Sequence, residues 1–379
     1  MKIVSIVGAR PQFVKLAPVD EELKKRGHEH VIIHTGQHYD YEMSKAFFEQ
    51  LDIPEPDYNL EVGSGTHAYQ TGQMLIRLGE TLEVEQPELV IVYGDTNSTL
   101  AGALAAIKLR IPTAHVEAGY RSYDLTMPEE VNRVVTDRIS QILFAPTHYA
   151  VENLIKEGID KDAIYMVGDI MTEALLKNLQ RAKNSDILER LSLEPQSYVL
   201  MTLHRQENVD YAHRLEKIFH GLKDIPLPIV FPCHPRTEKR LSEFRTLEKA
   251  GYDPAKLKII KPLPYLDFLK LESEAAFLIT DSGGVQSEAL VLNKPCITLR
   301  YRTEKIETIE AGSNELAGVD PENIKEAVKN AYRKHKEKIE FKLPENWDER
   351  VSKRIADAIE NHPDLDKLLA VPEDFSFPF

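Results

Sequence analysis

Short runs of β-branched and other apolar residues alternate along this chain with longer stretches in which apolar residues recur every three or four positions. That is the pattern of strands and helices in parallel sheets covered on both faces. In the first half, strands are predicted at Lys2–Val7, His30–Thr35, Leu89–Tyr93, Thr113–Val116, Ile142–Ala145 and Tyr165–Val167. Pro11–Lys25 reads as a helix with Phe13, Leu16, Val19 and Leu23 on one face, and Pro18 is expected to kink it or delay its start. A polar, charged stretch at Arg181–Pro195 interrupts the series, after which strands are predicted at Tyr198–Leu203, Ile229–Cys233, Leu257–Ile260, Ala276–Thr280 and Cys296–Leu299. A last helix is expected at Glu349–Ile359, followed by a tail with Phe375, Phe377 and Phe379.

The fold class this implies is α/β, with two doubly wound, Rossmann-like domains facing a central cleft into which strand C-termini point. The expected boundaries are 1–180 and 181–360, with 361–379 as a tail returning to the first domain. A length of 379 residues suits two such domains, and 42% hydrophobic against 28% charged residues excludes a disordered or fibrous chain. Two cysteines, Cys233 and Cys296, each inside an apolar run, cannot form a disulfide framework and are expected in the core of a cytoplasmic protein. The formal net charge of -14 argues against nucleic acid as a partner, so any anionic ligand must be held locally. The first apolar run stops at Gly8, Arg10 and Pro11, too early for a membrane span.

Candidate chemistry gathers at predicted strand ends. In the second half, Phe277–Thr280 leads into Asp281-Ser282-Gly283-Gly284 and a helical stretch. Glycines there let backbone approach a phosphate, and free helical amides supply partial positive charge. Glu288, one turn on, is placed to accept hydrogen bonds from a ribose diol. Ser282 could instead be an ordinary helix cap. A second anion anchor follows the first strand, where Arg10 and Lys15 flank Gly8-Ala9-Arg10-Pro11-Gln12. The loop is neither a Walker A sequence nor G-x-G-x-x-G, which makes ATP hydrolysis and a nicotinamide cofactor poor readings.

Three acids are expected around one rim of the first domain: Asp95 and Glu117 after adjacent strands, and Glu129 after Pro128. Asp95 competes with Thr96 and Asn97 for the role of helix cap, and Glu129 with Glu130 for that of an ordinary first-turn acid. His204 could orient a pyrophosphate or move a proton, while Arg205 could serve phosphates or a buried ion pair. His28, His30, His34 and His38 lack the clustered ligands of a structural zinc, so no metal is expected.

Together these segments resemble the non-hydrolysing UDP-N-acetylglucosamine 2-epimerases, a family with the glycosyltransferase B fold. The resemblance rests on Gly8-Ala9-Arg10-Pro11, Tyr93-Gly94-Asp95-Thr96, His115 through Ser122, Pro128 through Arg133, His204-Arg205, and Thr280 through Gln286 with Glu288. It implies interconversion of UDP-N-acetylglucosamine and UDP-N-acetylmannosamine, without a cofactor, by elimination of UDP to a 2-acetamidoglucal and its re-addition. A hydrolysing 2-epimerase, a 2-epimerase of a UDP-diacetamido-hexuronate, and a glycosyltransferase of the same fold are the alternatives. By the same resemblance Asp95, Glu117, Glu129 and His204 are catalytic. Arg10, Lys15, Arg205, Phe268, Ser282, Gly283, Gly284, Glu288 and Lys305 hold the UDP-sugar, Phe268 by stacking on the base, and the protein is a homodimer. The chain departs from the family at Gln12, Gln206 and Thr303 through Glu307, and near His234-Pro235-Arg236.

Overall fold

The computed structural model describes residues 1–37, 53, 55–362 and 369. His38 and the three tail phenylalanines lie outside the described residues. Two parallel sheets carry the fold. The first holds β1 (Lys2–Val7), β2 (Glu29–His34), β3 (Tyr58–Asn59), β4 (Leu89–Tyr93), β5 (Thr113–Val116), β6 (Ile142–Ala145) and β7 (Ile164–Met166), in the order β3-β2-β1-β4-β5-β6-β7. The second holds β8 (Val199–Thr202), β9 (Ile229–Pro232), β10 (Leu257–Ile260), β11 (Phe277–Thr280), β12 (Cys296–Thr298) and β13 (Asn314–Leu316), in the order β10-β9-β8-β11-β12-β13. Each sheet therefore reverses its winding between two neighbours, β1 and β4 in one and β8 and β11 in the other. At such a reversal the loops leave the strand C-termini in opposite directions and open a crevice for a ligand.

The inner strands β4, β6 and β11 are nearly unbroken apolar runs because helices cover both faces. All five residues of β4 are buried, as are Ile3, Val4, Ile6 and Val7 of β1. On one side Met74, Leu78 and Leu82 of the helix His67–Glu85 recur at four-residue spacing and pack with Val4, Ile6, Val90 and Val92. Gly102 of the helix Asn97–Lys108 lies so close to the sheet that a Cβ would stand 3.0 Å from both Ile6 and Val92. The second core is aromatic at its centre, with Phe219, Phe231 and Phe277 among Leu215, Ile218 and Leu222.

The chain forms two compact units, Met1–Ala174 with the described residues from Glu345 onward, and Leu175–Pro344. The final helix, expected at Glu349–Ile359 in the second domain, spans Val351–Asn361 and belongs to the first unit. Long-range polar contacts, silent in the sequence, account for this. Trp347 Nε1 donates to Pro146 O at 3.0 Å, Arg354 Nε to Val167 O at 2.7 Å, and Ser352 Oγ meets Glu173 at 2.7 Å. The polar stretch Arg181–Pro195 lies inside the second unit.

The first helix starts at Arg10, with Pro11 in its first turn and Pro18 buried within it, so the delayed start does not occur. Tyr58–Asn59 and Asn314–Leu316 were not expected as strands; both are sheet edges of two or three residues without an apolar run. Cys233 and Cys296 are buried free thiols, each pushed up to about 12 by burial. Among the described residues no helix is long and apolar enough to cross a membrane.

Candidate functional site

In the first unit the loop after β1 is locked to the end of β4 by Gln12. Its Oε1 accepts from Gly8 N at 2.8 Å and Ala9 N at 3.0 Å, while its Nε2 donates to Tyr93 O at 2.7 Å and Thr99 Oγ1 at 3.0 Å. The amide accepts on one atom and donates on the other, which matches the two amides on one side and the carbonyl on the other. Gly8 permits this approach, since a Cβ there would collide with Ser98 Oγ and Thr35 Oγ1. Arg10 lies exposed at the mouth of this loop.

Glu117, immediately after β5, has a left-handed backbone with φ +77°, an uncommon state for a residue with a side chain. Its Oε2 pairs with Nζ of the buried Lys15. Gly94, at φ +65°, passes directly over that pair; a Cβ would stand 2.9 Å from Lys15 Nζ and 3.3 Å from Glu117 Oε2. Lys15, expected on the diphosphate, thus has Glu117 as its partner here.

Beneath the pair lies a buried network. His115 Nδ1 meets Asp137 Oδ1 at 2.6 Å and its Nε2 meets Gly94 O at 2.7 Å. Asp137 Oδ2 accepts from Gly119 N at 3.0 Å and Arg121 NH1 at 2.7 Å. Burial alone would raise the Asp137 carboxyl, but His115 and Arg121 outweigh it and hold it below the ordinary value. The turns carrying Asp95 and Glu117 are therefore anchored to one carboxylate.

Asp95 pairs with Arg133, whose NH1 reaches Glu130 Oε2 at 2.9 Å. Thr96, not Asp95, caps the next helix, accepting from Thr99 N at 3.4 Å. Asn132 Nδ2 fixes the Asp95 carbonyl at 2.9 Å. Of the neighbouring acids on helix Pro128–Ile139, Glu130 is buried and accepts from Ser122 N and Tyr123 N at 2.9 and 2.8 Å. Burial would raise its carboxyl, but these amides and Arg133 hold it below the usual range. Glu129 is exposed. The structure separates the two, giving Glu130 the supporting place.

In the second unit Asp281, after β11, is fully buried and accepts from His204 N at 3.2 Å, Arg205 N at 3.0 Å and Asn208 Nδ2 at 3.2 Å. Its Oδ1 also meets His204 Nδ1 at 3.0 Å. Burial again opposes ionisation, and His204, Arg205 and Asn208 together hold the carboxyl below its ordinary value. His204 is exposed beyond this contact. Arg205 Nε donates to Asp281 O at 2.9 Å.

Ser282 occupies the cap position of the helix Gly283–Val291, but its side chain makes no capping hydrogen bond. The space over Gly284 is open, with only Ser282 Oγ at 3.8 Å from a hypothetical Cβ. Gly283 is needed because a Cβ would strike Glu304 Oε1. Gln286 braces this turn, its Nε2 on Ser282 O at 3.1 Å and its Oε1 receiving Thr303 Oγ1 at 2.7 Å. Lys305 is buried beside it, its backbone N donating to Thr303 Oγ1 at 3.1 Å. Glu288 is buried further along the helix, and Phe268 is half-buried against the core that includes Leu271 and Leu278.

Sequence reasoning missed Gln12 as a brace, and His115, Arg133, Asp137 and Asp281 as supports. All except Asp137 stood in or beside quoted segments, but each acts across the sheet. Among the described residues no group of three His, Cys, Asp or Glu is arranged to hold a metal ion. His30 is instead bound to Asp20 at 2.7 Å and Ser5 at 2.8 Å, and His28 to Glu360 at 3.0 Å.

The family model for UDP-N-acetylglucosamine 2-epimerase matches residues 21–360. The UDP-N-acetylglucosamine 2-epimerase of Methanocaldococcus jannaschii is 50% identical over 335 residues, covering 86% of this chain and 91% of that one. A crystal structure of UDP-GlcNAc 2-epimerase from that organism, in complex with UDP-GlcNAc and UDP, matches with a TM-score of 0.86 at 46% identity, covering 95% of this chain and 99% of that chain. The UDP-2,3-diacetamido-2,3-dideoxy-D-glucuronate 2-epimerase of Pseudomonas aeruginosa is 44% identical, covering 88% of this chain and 93% of that one.

Proposed function

The chain belongs to the UDP-N-acetylglucosamine 2-epimerase family, a family of isomerases with the glycosyltransferase B type of α/β fold, and from this we propose that it reversibly converts UDP-N-acetylglucosamine to UDP-N-acetylmannosamine. The observation that carries the reading is what stands at the two winding reversals: the paired acids Asp95 and Glu117 at one, and the uncrowded helix N-terminus at Gly284 at the other.

The C2 hydrogen of the sugar has no neighbouring carbonyl to accept its electrons. Its removal therefore has to accompany departure of the C1 substituent. A carboxylate takes the C2 proton, the C2–H electron pair becomes the C1–C2 double bond, and the C1–O bond electrons leave with UDP. The products of this step are a 2-acetamidoglucal and UDP, both retained. Re-addition of the UDP oxygen to C1, with a proton delivered to the opposite face of C2, completes inversion. Asp95, Glu117 and Glu129 are the acids of this scheme, and Lys15 and Arg133 orient two of them. His204, whose Nδ1 meets Asp281 Oδ1, is the side chain we assign to the diphosphate. Ser282, Gly283 and Gly284 offer hydrogen bonds to the phosphates, Glu288 to the ribose, and Phe268 a face to the base. Arg10, Arg205 and Lys305 complete the phosphate contacts.

The test is incubation with UDP-N-acetylglucosamine alone in deuterated water. The expected product is UDP-N-acetylmannosamine carrying deuterium at C2, with bridging oxygen scrambled into non-bridging phosphate positions. Free N-acetylmannosamine would convert the assignment to a hydrolysing enzyme, and product without deuterium would overturn the mechanism. The Pseudomonas relative favours a second substrate, a UDP-diacetamido-hexuronate, which the same assay compares directly. A homodimer and a cytoplasmic location belong to the same proposal; sedimentation of the purified protein tests the first.

A further inference from the structure

A file of side-chain amides runs from the loops after β2 and β3 to the turn that carries Asp95. Gln70, buried on the helix His67–Glu85, donates from Nε2 to Gly63 O at 2.8 Å and to Gln37 O at 3.2 Å. Backbone carbonyls only accept, so these contacts fix which way the amide faces. Its Oε1 is left toward Asn97, whose Nδ2 donates to it at 2.8 Å. At the other end Asn132, buried on the helix Pro128–Ile139, gives one Nδ2 hydrogen to the Asp95 carbonyl at 2.9 Å and the other to Asn97 Oδ1 at 3.3 Å. Both carbonyl ends thus impose the same orientation on Asn97, nitrogen toward Gln70 and oxygen toward Asn132. The second hydrogen of Asn97 Nδ2 meets His67 Nδ1 at 3.1 Å. That nitrogen therefore accepts, and the imidazole carries its proton on Nε2. A ring protonated on Nδ1 would have only Asn97 Oδ1, which is farther away at 3.4 Å and shared with Asn132.

We propose that Asn97 and Asn132 are positioning residues for Asp95, acting through a file of amides whose direction also fixes His67 as a neutral Nε2–H donor. The inference rests on the reading of Asp95 as a reacting acid. Asn132 and Arg133 are consecutive on one helix and hold Asp95 at two points, the first at its carbonyl and the second at its carboxylate. A carboxylate held by Arg133 alone could pivot; with the carbonyl held as well, the turn has one seat. Because the file begins at Gln37 and Gly63, the loops after two other strands set that seat. His67, exposed at the start of its helix, reports the direction of the whole file.

The experiment measures deuterium exchange at C2, KM and UDP affinity on the full-length protein and on Asp95→Asn and Asn132→Leu, and reads the His67 tautomer by nitrogen NMR above neutral pH in wild type and in Asn97→Asp. Asn132→Leu keeps the side-chain shape but neither hydrogen bond. Its kcat for exchange should fall about tenfold, the scale of one hydrogen bond, with KM and UDP affinity little changed. Wild-type His67 should show the Nε2–H tautomer, and Asn97→Asp, whose carboxylate only accepts, should move the proton to Nδ1. Full exchange by folded Asn132→Leu, or an Nδ1–H tautomer in wild type, overturns the proposal. Full exchange by Asp95→Asn would instead refute the acid reading itself. Should Asn132→Leu fail to fold, Asn97→Asp, which puts an acid in a helix's first turn where it is favoured, takes its place in the exchange assay, with the same loss expected and full exchange again overturning the proposal.

Discussion

The two winding reversals are topologically alike but differ in how much of their bracing is ionic. Around β1, β4 and β5 the fold builds with full charges: Lys15 on Glu117, Arg133 on Asp95 and Glu130, and His115 and Arg121 on Asp137. Around β8 and β11 amides take the larger share: the backbone of His204 and Arg205 on Asp281, open space over Gly284 at the helix N-terminus, and Gln286 bracing Ser282, with His204 on Asp281 and Arg300 on Glu304 as ionic contacts. A side chain that must take a proton from carbon needs a fixed charge state, which counter-ions secure. A surface that must release and recapture a diphosphate needs partial charges in a rigid array, which a helix terminus supplies without a matching cation.

The contrast breaks most visibly at Glu117. Glu117→Gln keeps size and the left-handed turn but removes the charge opposite Lys15. Deuterium exchange at C2 should fall about 10²–10⁴-fold, the range of a lost acid or base, while UDP affinity changes little. If exchange survives within a factor of a few, the acids of the first unit do not do the chemistry. Equal loss of UDP binding would erase the division of labour between the units.

Asp137→Asn tests the charge network under that turn. Removing the shared carboxylate of a buried ionic cluster leaves His115 without its acid and Arg121 with Glu157 alone, so the first unit should lose about 3–5 kcal/mol, read by denaturant unfolding. Acid titration sharpens the point. Asp137, Glu130 and Asp281 all have carboxyls held below their ordinary values in the folded chain. Their stabilisation is complete above the ordinary carboxylate range and disappears as pH falls through the lower folded values. Wild-type stability should thus decline on acidification below about pH 4, where unfolded carboxylates take up protons, and the Asp137→Asn protein should decline less steeply. An identical slope would mean that this carboxylate is not linked to folding.

What the sequence showed and what it hid follow the same physical line. Strands were legible because burial on both faces leaves runs such as Leu89–Tyr93 without a polar interruption. The loops after β1, β4, β5, β8 and β11 were legible because glycines and polar residues cluster at the abrupt strand ends. Supports were not. Asp137 is spaced 22 residues from His115. Their meaning arises only when non-adjacent strands pair. The return of the last helix to the first unit was hidden likewise, since Trp347 finds Pro146 across 201 residues.

The smallest effect separates the two helix N-termini. Thr96 and Ser282 occupy the same position in the two units, yet Thr96 Oγ1 accepts from Thr99 N whereas the Ser282 hydroxyl caps nothing. Thr96→Ala should therefore cost about 1 kcal/mol of unfolding free energy. Ser282→Ala should stay within about 0.5 kcal/mol of wild type, since its hydroxyl caps nothing, but weaken UDP binding if it takes the proposed phosphate contact. Denaturant unfolding and UDP titration of the two variants give the comparison directly. If Ser282→Ala loses as much stability as Thr96→Ala and binds UDP normally, its hydroxyl is a cap after all and the open amides beside Gly284 lose their closest side-chain ally.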